Sequence, residues 1–135
     1  MATRSSKTLG VVHGYRSGLE EKVSAQLVAA GVNAAYEETK IEYIKPERTA
    51  KYTPDFVLPN GIIIETKGRF LTDDRQKHLL VKAQHPQLDI RFVFSRSATT
   101  ISKASKTTYA LWCQKYGFKY ADKLIPQAWL KERKE

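Results

Sequence analysis

Apolar and polar positions alternate along this chain with two periods, and the switches between them outline the fold. In "RSGLEEKVSAQLVAAG", Leu19, Val23, Leu27 and Ala30 recur at helical spacing, which predicts a helix. Ser17 suits its N-cap and Gly31 its termination. "NAAYEETKIEYI" alternates loosely and reads as a strand, and "KPERTAK" reads as a charged connector. "YTPDFVL" and "IIIETKG" are β-rich runs joined by "PNG", a hairpin signal centred on Asn60-Gly61. "TDDRQKHLLVKAQHP" is a helix capped by Thr72 or Asp73 and stopped by Pro86. "DIRFVFS" is a strand and "KTTYALWCQKYG" a helix ending at Gly117. "PQAWLKERKE" is a last short helix, with Pro126 suited to its first turn. The order α-β-β-β-α-β-α-α predicts an α/β fold, a mixed central β-sheet flanked by helices.

With 135 residues and 41% apolar content, one domain with a modest core is expected. Residues 1–12 read as a flexible basic arm and 13–135 as the single domain. No apolar run of about 18 residues suggests a membrane span. The opening "MATRSSKTLG" lacks the apolar stretch of a secretory signal. The single cysteine, Cys113, reads as a small apolar residue on a helix face, which fits a reducing cytosol. The formal net charge of +9 favours a polyanionic partner, nucleic acid before anionic membrane. Tyr36, Tyr43, Phe92, Phe94, Trp112 and Trp129 fall at apolar positions and read as core. His13, His78 and His85 lack ligand-like spacing and read as solvated or facing nucleic acid.

The hairpin carries the chemistry. Asp55 and Glu65 stand five residues before and five after Asn60, so they are expected to be neighbours across strands about 4.8 Å apart. Like charges that close repel, and a divalent cation between them removes the cost. Lys67 shares a strand face with Glu65, within reach of the same phosphate. Two carboxylates, a cation and an ammonium are the parts of a phosphodiester hydrolase. Pro54-Asp55 … Glu65-Thr66-Lys67 is the PD-(D/E)xK nuclease signature, with a surface Glu65–Lys67 pair as the plain structural alternative. Glu20 fits a capping box with Ser17, and a residue in that first turn can also face the hairpin.

The stretches "YRSGLEEKVSAQL", "YTPDFVLPNGIIIETKG", "DDRQKHLL", "QHPQLDIRFVFS" and "ADKLIPQAWLKE" resemble bacteriophage endonuclease I, the Holliday-junction-resolving family of short-tailed coliphages. The resemblance covers roughly residues 12 to 132. It implies a restriction-endonuclease-like core that cuts four-way junctions and other branched DNA by symmetric paired nicks leaving 5′-phosphates. It implies Mg²⁺, with Mn²⁺ as a substitute, at one or two ions per site. It assigns the ions to Asp55, Glu65, the Thr66 backbone carbonyl and Glu20, and gives Glu20, Asp55, Glu65 and Lys67 catalytic roles. It further implies a domain-swapped homodimer crossing over near residues 45–51, with Glu20 of one chain joining the other three residues of its partner. The setting it implies is the cytoplasm of a bacterial host. Arg16, Ser17, Arg69, Arg75, Arg96, Lys103 and Lys106 are candidate phosphate contacts, although a solvated surface accounts for each equally well. Two departures stand out. Ala35 stands where the best-known member of that family carries a glutamate, and the chain ends at "KERKE" where that member runs on into a longer basic tail. Two other functions fit the residues: a non-catalytic branched-DNA-binding protein, and a restriction-like or transposon-end endonuclease acting on linear duplex.

Overall fold

The computed structural model describes residues 18–45 and 48–133. Eleven elements follow one another along these residues: α1 (Gly18–Ala29), β1 (Ala35–Tyr36), β2 (Ile41–Lys45), β3 (Arg48–Tyr52), β4 (Phe56–Val57), β5 (Ile63–Lys67), α2 (Thr72–Gln84), β6 (Ile90–Phe94), α3 (Tyr109–Tyr116), β7 (Lys119–Asp122) and α4 (Gln127–Lys131). Five strands form the central sheet in the order β1-β4-β5-β6-β7. The β1-β4 and β4-β5 pairs are antiparallel, and β5-β6 and β6-β7 are parallel. The sheet is therefore mixed, with helices on both faces, as the element order predicts. No helix among the described residues is long and apolar enough to cross a membrane.

Strand alternation sorts the core into two layers. Ile64 of β5 and Val93 of β6 face α1 and α4, packing with Leu19, Val23, Leu27 and Trp129. Ile63, Phe92 and Phe94 face the other way, onto Val81 of α2 and Trp112 and Cys113 of α3. Every residue of β6 is buried, as expected of a strand covered on both faces. Cys113 is buried as expected, and burial pushes its thiol up to about 12. The six aromatic residues read as core are all buried.

Four local expectations are corrected. The strand expected over "NAAYEETKIEYI" is broken in two, because Glu37 adopts a left-handed φ of 51° that no strand can continue through. Much of the expected connector is itself a strand, β3, which pairs with β2 from Ile41↔Tyr52 to Lys45↔Arg48. This ribbon is docked on α2 by the Gln84 amide, which accepts from the Ile44 N–H at 2.5 Å and donates to the Ile44 carbonyl at 2.6 Å. The N-cap of α2 is Leu71, not Thr72 or Asp73, and Asp74 reaches back to accept from its N–H at 3.3 Å. An unexpected strand, β7, completes the sheet edge. Residues 1–12, Arg16 and Ser17 lie outside the described residues.

Candidate active site

The hairpin turn forms where expected. Leu58 N–H bonds Ile62 O at 2.9 Å, and Gly61 takes a φ of 91° that strains any other residue. The pairing Phe56↔Ile64 and Val57↔Ile63 then sets Asp55 opposite Glu65. Both carboxylates are buried, Asp55 at 4% exposure and Glu65 at 2%.

Each is held by different donors. Asp55 Oδ2 accepts from the Thr66 N–H and from Thr66 Oγ1, both at 2.9 Å. Glu65 Oε2 accepts from the Tyr52 hydroxyl at 2.6 Å and from the Asp55 N–H at 3.1 Å. Lys67 Nζ stands 3.7 Å from Glu65 Oε1 and 3.4 Å from Asp74 Oδ1. Burial, and then the Asp55 charge, push the Glu65 carboxyl up to about 8, against the opposing effects of Lys67 and the two donors. Burial, followed by Lys67, lowers the Lys77 ammonium.

Glu20 is buried on the first turn of α1 and accepts from the Tyr36 hydroxyl at 3.0 Å. Oxygens of Glu20, Glu37 and Asp55 lie within 4.8 Å of one another. The donors are all oxygen, the preference of Mg²⁺ and Mn²⁺. The donor chemistry of the cluster therefore suits such an ion. The Thr66 carbonyl also faces this side. Strand groups alternate between neighbours, and Lys67 O is the one that accepts from β6, from Ser95 N at 3.1 Å.

Asp55, Glu65, Thr66 and Lys67 thus meet at the end of one hairpin, and Glu20 reaches Asp55 within a single chain. Sequence reasoning missed Glu37, Tyr52, Asp74, Lys77 and His78. Tyr52 lies only three residues before Asp55, in "YTPD", and was open to detection. Glu37 depends on a left-handed backbone that no pattern announces. The reading of His78 as solvated is corrected: it is completely buried beside Glu65, because its position on α2 faces the core. His85 caps α2, and its Nε2 contacts the Glu42 carbonyl. Among the candidate phosphate contacts, Arg69, Arg96, Lys103 and Lys106 are exposed and away from the carboxylate cluster's own bonds. Arg75 is instead tied to the Phe70 carbonyl at 2.5 Å and to Thr72 Oγ1 at 3.1 Å, a bracing position at the start of α2.

Comparison with known proteins places this arrangement among the nucleases. The chain is 53% identical to endonuclease I of Escherichia phage T7 over 135 residues, covering all of this chain and 91% of that protein. It is 56% identical to endodeoxyribonuclease 1 of Enterobacteria phage T3 over 121 residues, covering 90% of this chain and 80% of that protein. The chain belongs to the phage endonuclease I family, whose model matches residues 1–135.

Proposed function

We propose that this chain is a metal-dependent endodeoxyribonuclease that resolves four-way junctions and other branched DNA by paired nicks leaving 5′-phosphates, in the cytoplasm of a bacterial host. The observation that carries this reading is the hairpin end, where two buried carboxylates and Lys67 meet an all-oxygen cluster. Family membership and the names of both relatives support it. Asp55, Glu20 and the Thr66 carbonyl, with Glu65, would hold Mg²⁺ or Mn²⁺, one or two ions to a site. When bound, the cation supplies positive charge for phosphate oxygens and lowers the pKa of water. Lys67 presents its ammonium to the scissile phosphate, where it offsets charge developing in the transition state. Asp74 and Glu65 hold that ammonium between them.

The test is cleavage of a labelled four-way junction beside a linear duplex of matching sequence, with Mg²⁺, Mn²⁺ or EDTA. Metal-dependent paired nicks on the junction alone are expected. Binding without cutting in any metal would reduce the chain to a branched-DNA-binding protein. Equal cutting of linear duplex would favour a restriction-like enzyme.

We further infer a homodimer that exchanges its α1–β2 segment, so that Glu20 of one chain completes its partner's site. The β2-β3 ribbon is the place where the chain would open, and exchange preserves every contact that Glu20 makes across it. Mixing discriminates the arrangements. Glu20→Ala and Asp55→Ala chains are each inactive alone, but co-refolded exchanged dimers regain one intact site of two. Sites built within one chain regain nothing.

A further inference from the structure

We propose that His78 is a positioning residue for Glu65, its ring directing Nε2–H at Glu65 Oε1 and fixing the carboxylate from behind. This rests on the reading of Glu65 as a cation ligand. The ring is completely buried, and neither ring nitrogen has a hydrogen-bond partner. Buried polar groups almost always have one, and leaving one without is destabilising. Phenylalanine or leucine would fill this space without that cost, so packing alone does not account for an imidazole here.

Geometry does account for it. The ring is wedged edge-on between Tyr52 and Phe92, with centroids 5.1 and 4.9 Å away, which fixes its plane. That plane turns Nε2 to Glu65 Oε1 at 3.9 Å, just beyond bonding reach. An imidazole with a single ring proton has one N–H to direct. Tyr52 therefore acts twice: its ring wedges His78, and its hydroxyl holds Glu65 Oε2. Glu65 Oε2 thus accepts from Tyr52 and the Asp55 N–H, while Oε1 is flanked by His78 and Lys67. Such outer contacts orient a metal-binding group and set its affinity.

The first readout needs no metal and no variant. Nitrogen-15 NMR of the whole metal-free protein reports which imidazole nitrogen carries the proton. An Nε2–H tautomer is expected, and an Nδ1–H tautomer, which turns a lone pair towards the carboxylate, overturns the proposal. The second readout is Mg²⁺ binding by calorimetry without DNA. His78→Leu should bind Mg²⁺ about 10- to 100-fold more weakly. His78→Gln, which keeps a donor near the Nε2 position, should stay within about threefold. Equal affinities in all three proteins also overturn the proposal. If His78→Leu fails to fold, the tautomer decides. A wild-type protein that binds no Mg²⁺ overturns the metal reading of the site, and the tautomer still decides the role of His78.

Discussion

Two buried charges sit one residue apart in register on neighbouring strands and do not meet. Arg91 of β6 pairs with Ile64 of β5, and Phe92 with Glu65, so alternation sends Arg91 and Glu65 to opposite faces of the sheet. Arg91 is saturated. It makes paired bonds to Asp89 at 2.9 and 2.7 Å and to Glu132 at 3.0 and 2.7 Å, and its guanidinium lies over Trp129. Bonding to Arg91 lowers the Asp89 carboxyl and raises the guanidinium, the mark of charges that satisfy each other. Glu65 moves the other way, pushed up to about 8 by burial and by a second carboxylate. One face of the sheet uses charge to close the fold. The other gathers buried carboxylates beside Lys67, and perturbed groups of that kind cluster at functional sites.

That contrast can be broken at either end. Glu65→Gln and Asp55→Asn should slow cleavage by on the order of a thousandfold or more, with junction binding within a few-fold. Glu65→Gln should keep or raise the melting temperature, because it removes an acid whose ionisation the fold resists. Arg91→Ala should do the reverse, lowering stability by about 3 kcal/mol in urea unfolding while the folded fraction still cuts. That figure is at the lower end for a buried pair, since Asp89 and Glu132 stay half exposed and can return to water. Lys67→Ala comes next, with cleavage down on the order of a hundredfold and Mg²⁺ affinity nearly unchanged. If Lys67→Ala instead lost metal binding, the lysine would be holding the site together and not acting on the phosphate.

A pH series in EDTA gives the smallest effect and sharpens the comparison. Glu65 binds its proton more tightly folded than unfolded, so its share of stability is lost as pH rises from about 4.5 to about 8. The slope is at most about 1.4 kcal/mol per pH unit. Asp89 acts oppositely: its share is present above the ordinary aspartate range and is lost as acid protonates it away from Arg91. Glu65→Gln should flatten the upper limb alone, and Arg91→Ala the lower limb alone.

Where sequence and structure agree, the signal was local. Asn60-Gly61 marked the turn, and counting from it set Asp55 against Glu65. Gly117, with a φ of 78°, closes α3 as its position suggested. Where they diverge, the determinant was distant or weakly patterned. In β3, "RTAKY" exposes three of its five residues and looks like a loop until β2 pairs with it. In β7, "KYAD" is a four-residue edge strand with polar ends. Arg91 interrupts an apolar strand, and its second partner, Glu132, is 41 residues away. His78 shows only its helix position in the sequence. Its burial depends on Tyr52 and Phe92, which come from separate strands.

The Asn60 side chain at the tip of the carboxylate hairpin donates to the carbonyls of Trp129 at 3.0 Å and Glu132 at 2.8 Å. The hairpin is therefore tied to residues that a ribosome adds well after Lys67. At about 5–20 residues per second, the stretch from Lys67 to Glu132 takes several seconds to synthesise. During that interval Asn60 lacks its anchor and Arg91 lacks half its partners. A chain that stops before Trp129 bears Glu20, Asp55, Glu65 and Lys67 but lacks both contacts that anchor the hairpin tip.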